Sequence, residues 1–282
     1  MPLAAPDGAG CKAEDDVVGS GGRQAVSAGL GALREAGERA ELARQELARR
    51  AALAREPQPE GIRGPQWKLM LGELFGRRAP VRQAALVRRA RRPRPVMLLP
   101  GFGAHPNRMR RMERALAEAG HTVHHWGLGF NLGPTADNFA FLIRRVHDLA
   151  QLHREPVVLV GWSLGGLFAR EIARRLPDDV AQVITMGTPF SGNPRANNAW
   201  RAYQFITGHK VDEPPVECEV AVKPPVPTVA LWSPRDGVIH PRSACGRPGE
   251  RDRAVALRCT HLGFNTDPRV FAEVLRQIDL LE

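Results

Sequence analysis

Long apolar runs are scarce in this chain of 282 residues. The best of them, residues 156–168, is interrupted by Ser163 and by three glycines, and none reaches the roughly 18 to 20 residues that a membrane-spanning helix needs. We therefore exclude an integral membrane protein. The first twenty residues also lack a basic segment followed by an apolar stretch, so we expect no secretory signal and a cytoplasmic location.

Cysteine is also scarce, and none of the spacings is of the CxxC type that metal sites use. We therefore expect no metal site. Reduced, mostly buried thiols are the simplest interpretation, although a bridge among the last three stays open. The four residues are Cys11, Cys218, Cys245 and Cys259.

Acidic residues are missing from one segment. The net charge is +10, and Arg77 to Arg94 holds eight arginines and no acid. Such a run attracts anionic lipid, nucleic acid or an acidic partner, and a solvated basic linker is the plainer alternative. We expect no nucleic-acid binding, because no RNA-binding or zinc-finger signature and no interleaved aromatic residues accompany the arginines.

Two helices are expected ahead of this run. Residues 24–55 are rich in Ala, Leu, Glu and Arg and predict a marginal helix. A second, short helix carries an apolar stripe with i, i+3, i+4, i+7 and i+8 spacing, which either docks on the rest of the chain or lies at a membrane surface. The stripe consists of Trp67, Met70, Leu71, Leu74 and Phe75. We interpret residues 1–94 as a basic, largely helical or partly disordered extension.

From residue 95 onward strand and helix patterns alternate, which favours an α/β fold with an open, mostly parallel sheet flanked by helices. Binding residues are then expected at the carboxyl ends of the strands. The predicted strands are Val96 to Leu99, Thr122 to Trp126, Val157 to Val160, Val183 to Met186, Thr228 to Trp232 and Ala254 to Leu257. The predicted helices are Asn107 to Ala119, Asn138 to Leu152, Leu164 to Leu176 and one that begins after Asp267.

A GxSxG motif connects the third of these strands to a helix. Its small residues, Gly161 and Gly165, relieve crowding in a sharp turn that exposes the Oγ of Ser163 at a helix N-terminus. A serine nucleophile needs a base and an orienting acid, which follow in the order Ser, acid, His. Asp236 and His261 each come after a predicted strand in that order.

Other histidines and carboxylates remain alternatives to this triad. They fit it less well, because they lie on strands or helices, precede the serine, or are explained by a turn or a helix cap. The alternatives are His124, His125, His147, His153 and His240 for the base, and Asp252 and Asp267 for the acid.

The oxyanion of such a reaction needs two backbone N–H donors. Leu164 follows the nucleophile and supplies one. The loop after the first strand supplies the other, and we assign it to Phe102, which lies between Gly101 and Gly103.

With these motifs, residues 95–282 resemble a lipase or esterase of the α/β-hydrolase superfamily. The resemblance implies Ser163 as nucleophile, His261 as base, Asp236 as acid, and Phe102 with Leu164 as oxyanion donors. Residues 187–192 resemble a Gly-Thr-Pro turn of many lipases, and residues 126–134 resemble a loop of certain bacterial hydrolases. The antiparallel strands that usually precede the oxyanion strand are not visible.

The long connection at residues 193–226 is interpreted as a cap over the site. A cap favours an apolar acyl substrate, and its aromatic residues together with two tryptophans near the strand ends are candidates for the substrate pocket: Trp126, Trp162, Trp200, Tyr203 and Phe205.

The sequence thus predicts a serine hydrolase that cleaves a small-molecule or lipid ester through an acyl-enzyme on Ser163 and needs no cofactor. A thioesterase or an acyltransferase would use the same triad, and a non-catalytic binding protein on this fold is the alternative from another class. Contact with an anionic membrane through the basic extension is a further hypothesis. The oligomeric state is not predicted.

Overall fold

The computed structural model describes residues 20–75 and 88–281, without the side chains of residues 20–33 and of Leu74. Its strands form one six-stranded sheet in which every neighbouring pair is parallel. The strands are β1 (Pro95–Leu99), β2 (Thr122–His125), β3 (Val157–Trp162), β4 (Val180–Met186), β5 (Thr228–Trp232) and β6 (Arg253–Ala256), in the spatial order β2-β1-β3-β4-β5-β6.

Eight α-helices lie in the part of the chain that the structure describes. They are α1 (Ser20–Ala54), α2 (Trp67–Phe75), α3 (Arg110–Glu118), α4 (Ala136–His153), α5 (Leu164–Arg175), α6 (Trp200–Thr207), α7 (Pro241–Cys245) and α8 (Pro268–Asp279). β1 and β3 are buried along their whole length, as continuous apolar strands covered on both faces must be. One core cluster packs α3 and α8 against the sheet, and the other packs α4 and α5 against it.

Local sequence explains where two of the helices begin. The hydroxyl of Thr135 accepts from the N–H of Asn138, whose side chain accepts in return from the N–H of Thr135, and this capping box starts α4. Asp267 caps α8, with Pro268 at the first helical position. The expected start of α8 is therefore confirmed.

The expected fold class is confirmed as well, with small shifts at strand ends. β2 stops at His125, so Trp126 lies beyond the strand and packs into the second core cluster. The chain turns at Gly127, whose φ of +89° favours glycine. β4 begins three residues early, because Val180 pairs with Val157 of β3.

The order of the strands reverses at one place, which determines where a site can form. β1 lies between β2 and β3, so the connections after β1 and β3 leave toward opposite faces of the sheet. Open α/β sheets bind ligands outside the strand ends at such a switch point. Phe102 follows β1 and Ser163 follows β3, so both lie at this point.

One compact unit begins at Arg50 and includes α2 and the sheet, and the first part of α1 belongs to a separate unit. In that separate unit exposed side chains form i, i+4 pairs, such as Arg39 with Glu35 at 3.4 Å. The division of the chain at residues 94 and 95 and the cap at 193–226 stay predictions. Residues 77–87 of the arginine run lie outside the described residues, as does Cys11.

Across the described residues, no helix has an apolar stretch that could cross a bilayer. Cys218, Cys245 and Cys259 carry free thiols, so no bridge links them. Burial raises the pKa of the Cys259 thiol to about 12, which keeps it protonated.

Candidate active site

The turn between β3 and α5 holds Ser163 in a backbone conformation that few residues adopt. Its φ is +53° and its ψ is −121°, a strained combination that persists only where neighbours hold it. The N–H of Ser163 donates to the carbonyl of Met186 at 2.8 Å, and the hydroxyl of Thr188 donates to the carbonyl of Ser163 at 2.9 Å. Strand β4 and the loop that follows it therefore fix the serine.

Glycines allow this turn to pack tightly. A β-carbon at Gly161 would collide with the main chain of Gly165 and Gly166, and one at Gly165 would collide with the main chain of Leu99 and Pro100. The start of α5 consequently lies directly against the loop that follows β1. This close approach brings the two segments expected to donate to an oxyanion side by side.

His261 and Asp236 form a buried hydrogen-bonded pair. Nδ1 of His261 lies 2.8 Å from Oδ2 of Asp236, and both side chains are almost fully buried. The other oxygen of Asp236 accepts from the N–H groups of Val238 and Ile239, each at 2.8 Å. The carboxylate is thus held in one orientation, which selects the imidazole tautomer with its proton on Nδ1.

Trp162 connects this pair to the serine. It precedes Ser163, its indole N–H donates to the carbonyl of His261 at 3.2 Å, and its ring centroid lies 5.5 Å from that of the imidazole. The structure thus brings the loops of the three residues together at the carboxyl edge of the sheet. The roles of Ser163, Asp236 and His261 stay predictions.

The alternative histidines and carboxylates have other partners. His240 caps α7, and Asp252 accepts from Lys223 and from the N–H of Thr228. The rest pair away from the serine: His124 with His153, His125 with Glu113, His147 with Asp179, and Asp267 with Arg269.

The loop after β1 owes its shape to Asn131, which is fully buried. The Asn131 amide donates to the carbonyl of Pro100 at 2.7 Å, and its backbone carbonyl accepts from the N–H of Gly103 at 2.7 Å. These bonds bracket Phe102. A β-carbon at Gly101 would lie 3.1 Å from that of Ser163, so the loop passes close beside the serine. The segment that holds Asn131, residues 126–134, was noted only for its resemblance to a loop of certain bacterial hydrolases, and Asn131 had no predicted role.

A cavity of about 710 Å³ opens beside Ser163, and most of its lining residues are apolar. Phe102 and Leu164 line it, as do Trp200 and Tyr203 of α6. The rings of Phe102 and Tyr203 lie 5.2 Å apart. The loop that carries the expected oxyanion donor therefore contacts a helix that lines the cavity.

Three of the expected pocket residues do not line this cavity, and the residues that contact substrate stay a prediction. Trp126 is buried in the core, where its indole N–H donates to the carbonyl of Leu128. Trp162 packs on His261, and Phe205 lies on the outer side of α6 with 39% of its surface exposed. Sequence proximity to a strand end or a shared helix does not determine which face a ring occupies.

A buried arginine, Arg170, holds part of the cavity wall. Its guanidinium donates to the carbonyls of Val220 and Val222 and lies 4.1 Å from the ring centroid of Phe190. Burial lowers its pKa to about 10, so the group stays charged at neutral pH. The segment that lines the cavity near residue 220 is thereby fixed to α5.

Residues 50–66, here called the N-terminal strap, contact α6 through two of its buried residues. The indole N–H of Trp200 donates to Gln58 at 2.9 Å, and the amide of Gln204 donates to the carbonyl of Leu53 at 2.6 Å. Arg195 forms an ion pair with Glu56 at 2.7 Å. These contacts make the strap part of the structure that supports the cavity.

Comparison with known proteins agrees with this geometry. Residues 94–212 match the family model of the alpha/beta hydrolase fold. No curated protein sequence matches the chain. The α/β-hydrolase fold that the sequence resemblance implied is thus confirmed.

Solved structures resemble the chain at low identity. An alpha/beta hydrolase from a sediment metagenome of the Mar Chica lagoon has 17% identity and a TM-score of 0.46, covering 66% of this chain and 90% of its own. A metagenome-derived lipolytic enzyme has 17% identity and a TM-score of 0.49, covering 70% and 96%. A monoacylglycerol lipase of Paleococcus ferrophilus has 16% identity and a TM-score of 0.47, covering 67% and 94%.

Proposed function

We propose that this protein is a serine hydrolase that cleaves carboxylic esters through an acyl-enzyme on Ser163. The observation that carries the proposal is the buried hydrogen bond between His261 and Asp236, 2.8 Å long, beside a serine on a strained strand-to-helix turn. A base oriented by a buried carboxylate near a serine that lines a cavity is the arrangement that serine acyl transfer needs.

In the proposed reaction, Nε2 of His261 removes the proton of Ser163 as Oγ attacks the ester carbonyl. The carbonyl oxygen becomes an oxyanion, which the N–H groups of Phe102 and Leu164 stabilise. The Leu164 N–H has no acceptor within its own helix, because it belongs to the first turn of α5. His261 then protonates the departing alkoxide, and a water activated by the same imidazole hydrolyses the acyl-enzyme.

The cavity supports a medium or long acyl group as substrate. Its volume of about 710 Å³ exceeds what an acetyl group fills, and aromatic residues of α5 and α6 line it. Burial of each methylene in such a cavity contributes about 0.8 kcal/mol. Longer acyl chains are therefore expected to give higher kcat/KM until the cavity is filled.

The proposal is tested with a fluorophosphonate probe and p-nitrophenyl esters. The wild-type protein should be labelled and should hydrolyse the butyrate ester, and Ser163→Ala should lose both while unfolding at nearly the same temperature. Thr185→Ser, on the neighbouring strand β4, is a control that changes a side chain outside the cavity. Labelling or turnover of Ser163→Ala at the wild-type rate would exclude the assignment.

We also propose that α2 contacts an anionic membrane surface. Trp67, Leu71 and Phe75 are 61%, 38% and 81% exposed, and they recur every four residues on one face of the helix. The arginine run follows this helix directly in the sequence. An exposed apolar face beside clustered positive charge has the chemistry that an acidic bilayer binds.

A further inference from the structure

A carboxylate from the N-terminal region lies between the loops that carry Asp236 and His261. This is Glu73 of α2, which is 6% exposed. One of its oxygens accepts from the N–H of Gly237 at 2.7 Å and from the N–H of His261 at 2.8 Å. The other accepts from the N–H of Leu262 at 3.0 Å. Three backbone donors of the two loops thus converge on one side chain.

The backbone of α2 approaches the loop that carries Asp236, here called the acid loop, just as closely. A β-carbon at Gly237 would collide with the main chain of Leu69 and Met70, so the contact requires glycine. Nearby, the amide of Asn198 donates both to the carbonyl of Gly237 at 2.8 Å and to that of Pro65 at 3.1 Å. The acid loop is therefore connected to the N-terminal region by polar contacts both through Glu73 and through Asn198.

We propose that Glu73 is a positioning residue for the triad, a role that rests on the proposed serine hydrolase function. It bonds to the N–H of His261 itself and to that of the residue after Asp236, so it sets the distance between the two loops. The hydrogen bond between the imidazole and the carboxylate depends on that distance. Hydrogen bonds to an ionised carboxylate are stronger than those between neutral groups, which makes Glu73 suited to hold main chain in place.

The role of α2 changes with this inference. Its apolar stripe was expected either to dock on the rest of the chain or to lie at a membrane surface. Trp67, Leu71 and Phe75 are exposed, and the side of the helix that carries Glu73 contacts the two loops. The helix is therefore attached to these loops through the buried carboxyl group of Glu73. A segment outside the part of the chain that matches the family model, residues 94–212, would then determine how well the triad is aligned.

The decisive variant is Glu73→Gln, which keeps the shape but places an NH₂ group against a backbone donor. Loss of one bond lets the His261 main chain move, and a displacement of about 1 Å at a catalytic group can reduce the rate about 100-fold. We expect kcat on p-nitrophenyl butyrate to fall roughly 10-fold to 100-fold with KM within about twofold. Glu60→Gln, which removes an exposed acid of the N-terminal strap, should keep wild-type kinetics.

Hydrogen exchange supplies a readout that does not depend on turnover. Peptides that contain Gly237, His261 and Leu262 should exchange faster in Glu73→Gln, while peptides from β2 and α4 exchange as in the wild type. If Glu73→Gln fails to fold, Glu73→Asp keeps the charge on a side chain one methylene shorter. It should also lower kcat more than it changes KM, because it cannot reach all three donors.

The outcomes separate this inference from the proposed function. An inert wild-type protein would refute the hydrolase proposal, while local exchange would still show whether Glu73 holds the two loops. An active wild type with unchanged kcat and unchanged exchange in Glu73→Gln would overturn the inference. So would a general acceleration of exchange with kcat and KM both altered, since that result describes a stability residue.

Discussion

Gly187 lies directly against Asp236: a β-carbon at Gly187 would be 2.9 Å from Oδ2 of the carboxylate. The same atom would be 3.1 Å from Nδ1 of His261. The hydrogen-bonded pair therefore occupies the space that any other residue at this position would need. Gly187 also has a φ of +55°, so its conformation and its packing both require glycine.

Gly187→Ala should therefore separate the pair. The added methyl group collides with the carboxylate, the imidazole and the ring of Phe264 at once, so the pair is displaced and we expect activity to fall at least about tenfold. Gly249→Ala is the matched control, because Gly249 also has a positive φ, +90°, but nothing lies within 4 Å of its would-be β-carbon.

Both variants should lose about 1 to 2 kcal/mol of unfolding free energy from backbone strain, measured in urea. Only Gly187→Ala should lose esterase activity. Equal activity of the two variants would show that the hydrogen-bonded pair of Asp236 and His261 tolerates the added methyl group.

Asp236→Asn should cost far more activity than Asp252→Asn. An amide at 236 favours the wrong imidazole tautomer, and loss of the orienting carboxylate typically lowers kcat by roughly 10³ to 10⁴-fold. Asp252 bonds to Lys223 and to the N–H of Thr228, so Asp252→Asn should leave kcat nearly unchanged. Kinetics on p-nitrophenyl butyrate compare them. A larger loss in Asp252→Asn would transfer the role of the acid to that residue.

Much of this fold was readable from local pattern. Buried parallel strands are largely apolar, so β1, β3, β4 and β5 were recognisable, and the start of α8 followed from Asp267 and Pro268. The candidate triad was also recognisable, because its members follow strands in a fixed order along the chain.

Contacts between distant segments were not readable. Nothing in the spacing of α2 distinguishes Glu73 from a solvated acid, because its three donors lie more than 160 residues away in the chain. The orientation of two tryptophans was not readable for a related reason. Trp126 and Trp162 are near strand ends, but the face that each ring occupies depends on its packing. Trp126 packs into the core and Trp162 packs on His261, and both contacts arise only in the folded chain.

Asp267→Asn should reveal a contribution to stability that depends on pH. Burial raises the pKa of Asp267, but hydrogen bonds and charge from Arg269 outweigh burial, and the folded pKa is lower than its ordinary value. A lowered pKa stabilises the fold above the unfolded pKa of about 3.9, and this stabilisation is lost as the pH falls through the folded pKa.

Asparagine still caps the helix, so the variant should lose about 0.5 to 1 kcal/mol at pH 7 through the missing charge alone. Urea unfolding at pH 7 and at pH 3 measures the difference between the two proteins. This difference in unfolding free energy should be smaller at pH 3 than at pH 7. A larger difference at pH 3 would contradict a lowered pKa of Asp267 in the folded protein.

Binding to anionic liposomes tests the exposed face of α2. The triple variant Trp67→Ser, Leu71→Ser, Phe75→Ser removes the apolar contribution and leaves Glu73 in place. Wild type should co-sediment with vesicles rich in phosphatidylserine at low salt, less at high salt because screening weakens the arginines, and little with neutral vesicles. The triple variant should sediment several-fold less at every salt concentration.

Substitution is a sharper test here than deletion of residues 60–94, because deletion also removes Glu73 and would disturb the loops that carry Asp236 and His261. Leu152→Ser with Leu280→Ser is the matched control, since these leucines are 71% and 47% exposed elsewhere on the surface. Their loss should leave sedimentation unchanged if binding is local to α2. Equal sedimentation of the triple variant and the wild type would show that the face does not contact lipid, and the arginines alone would then account for any binding that salt removes.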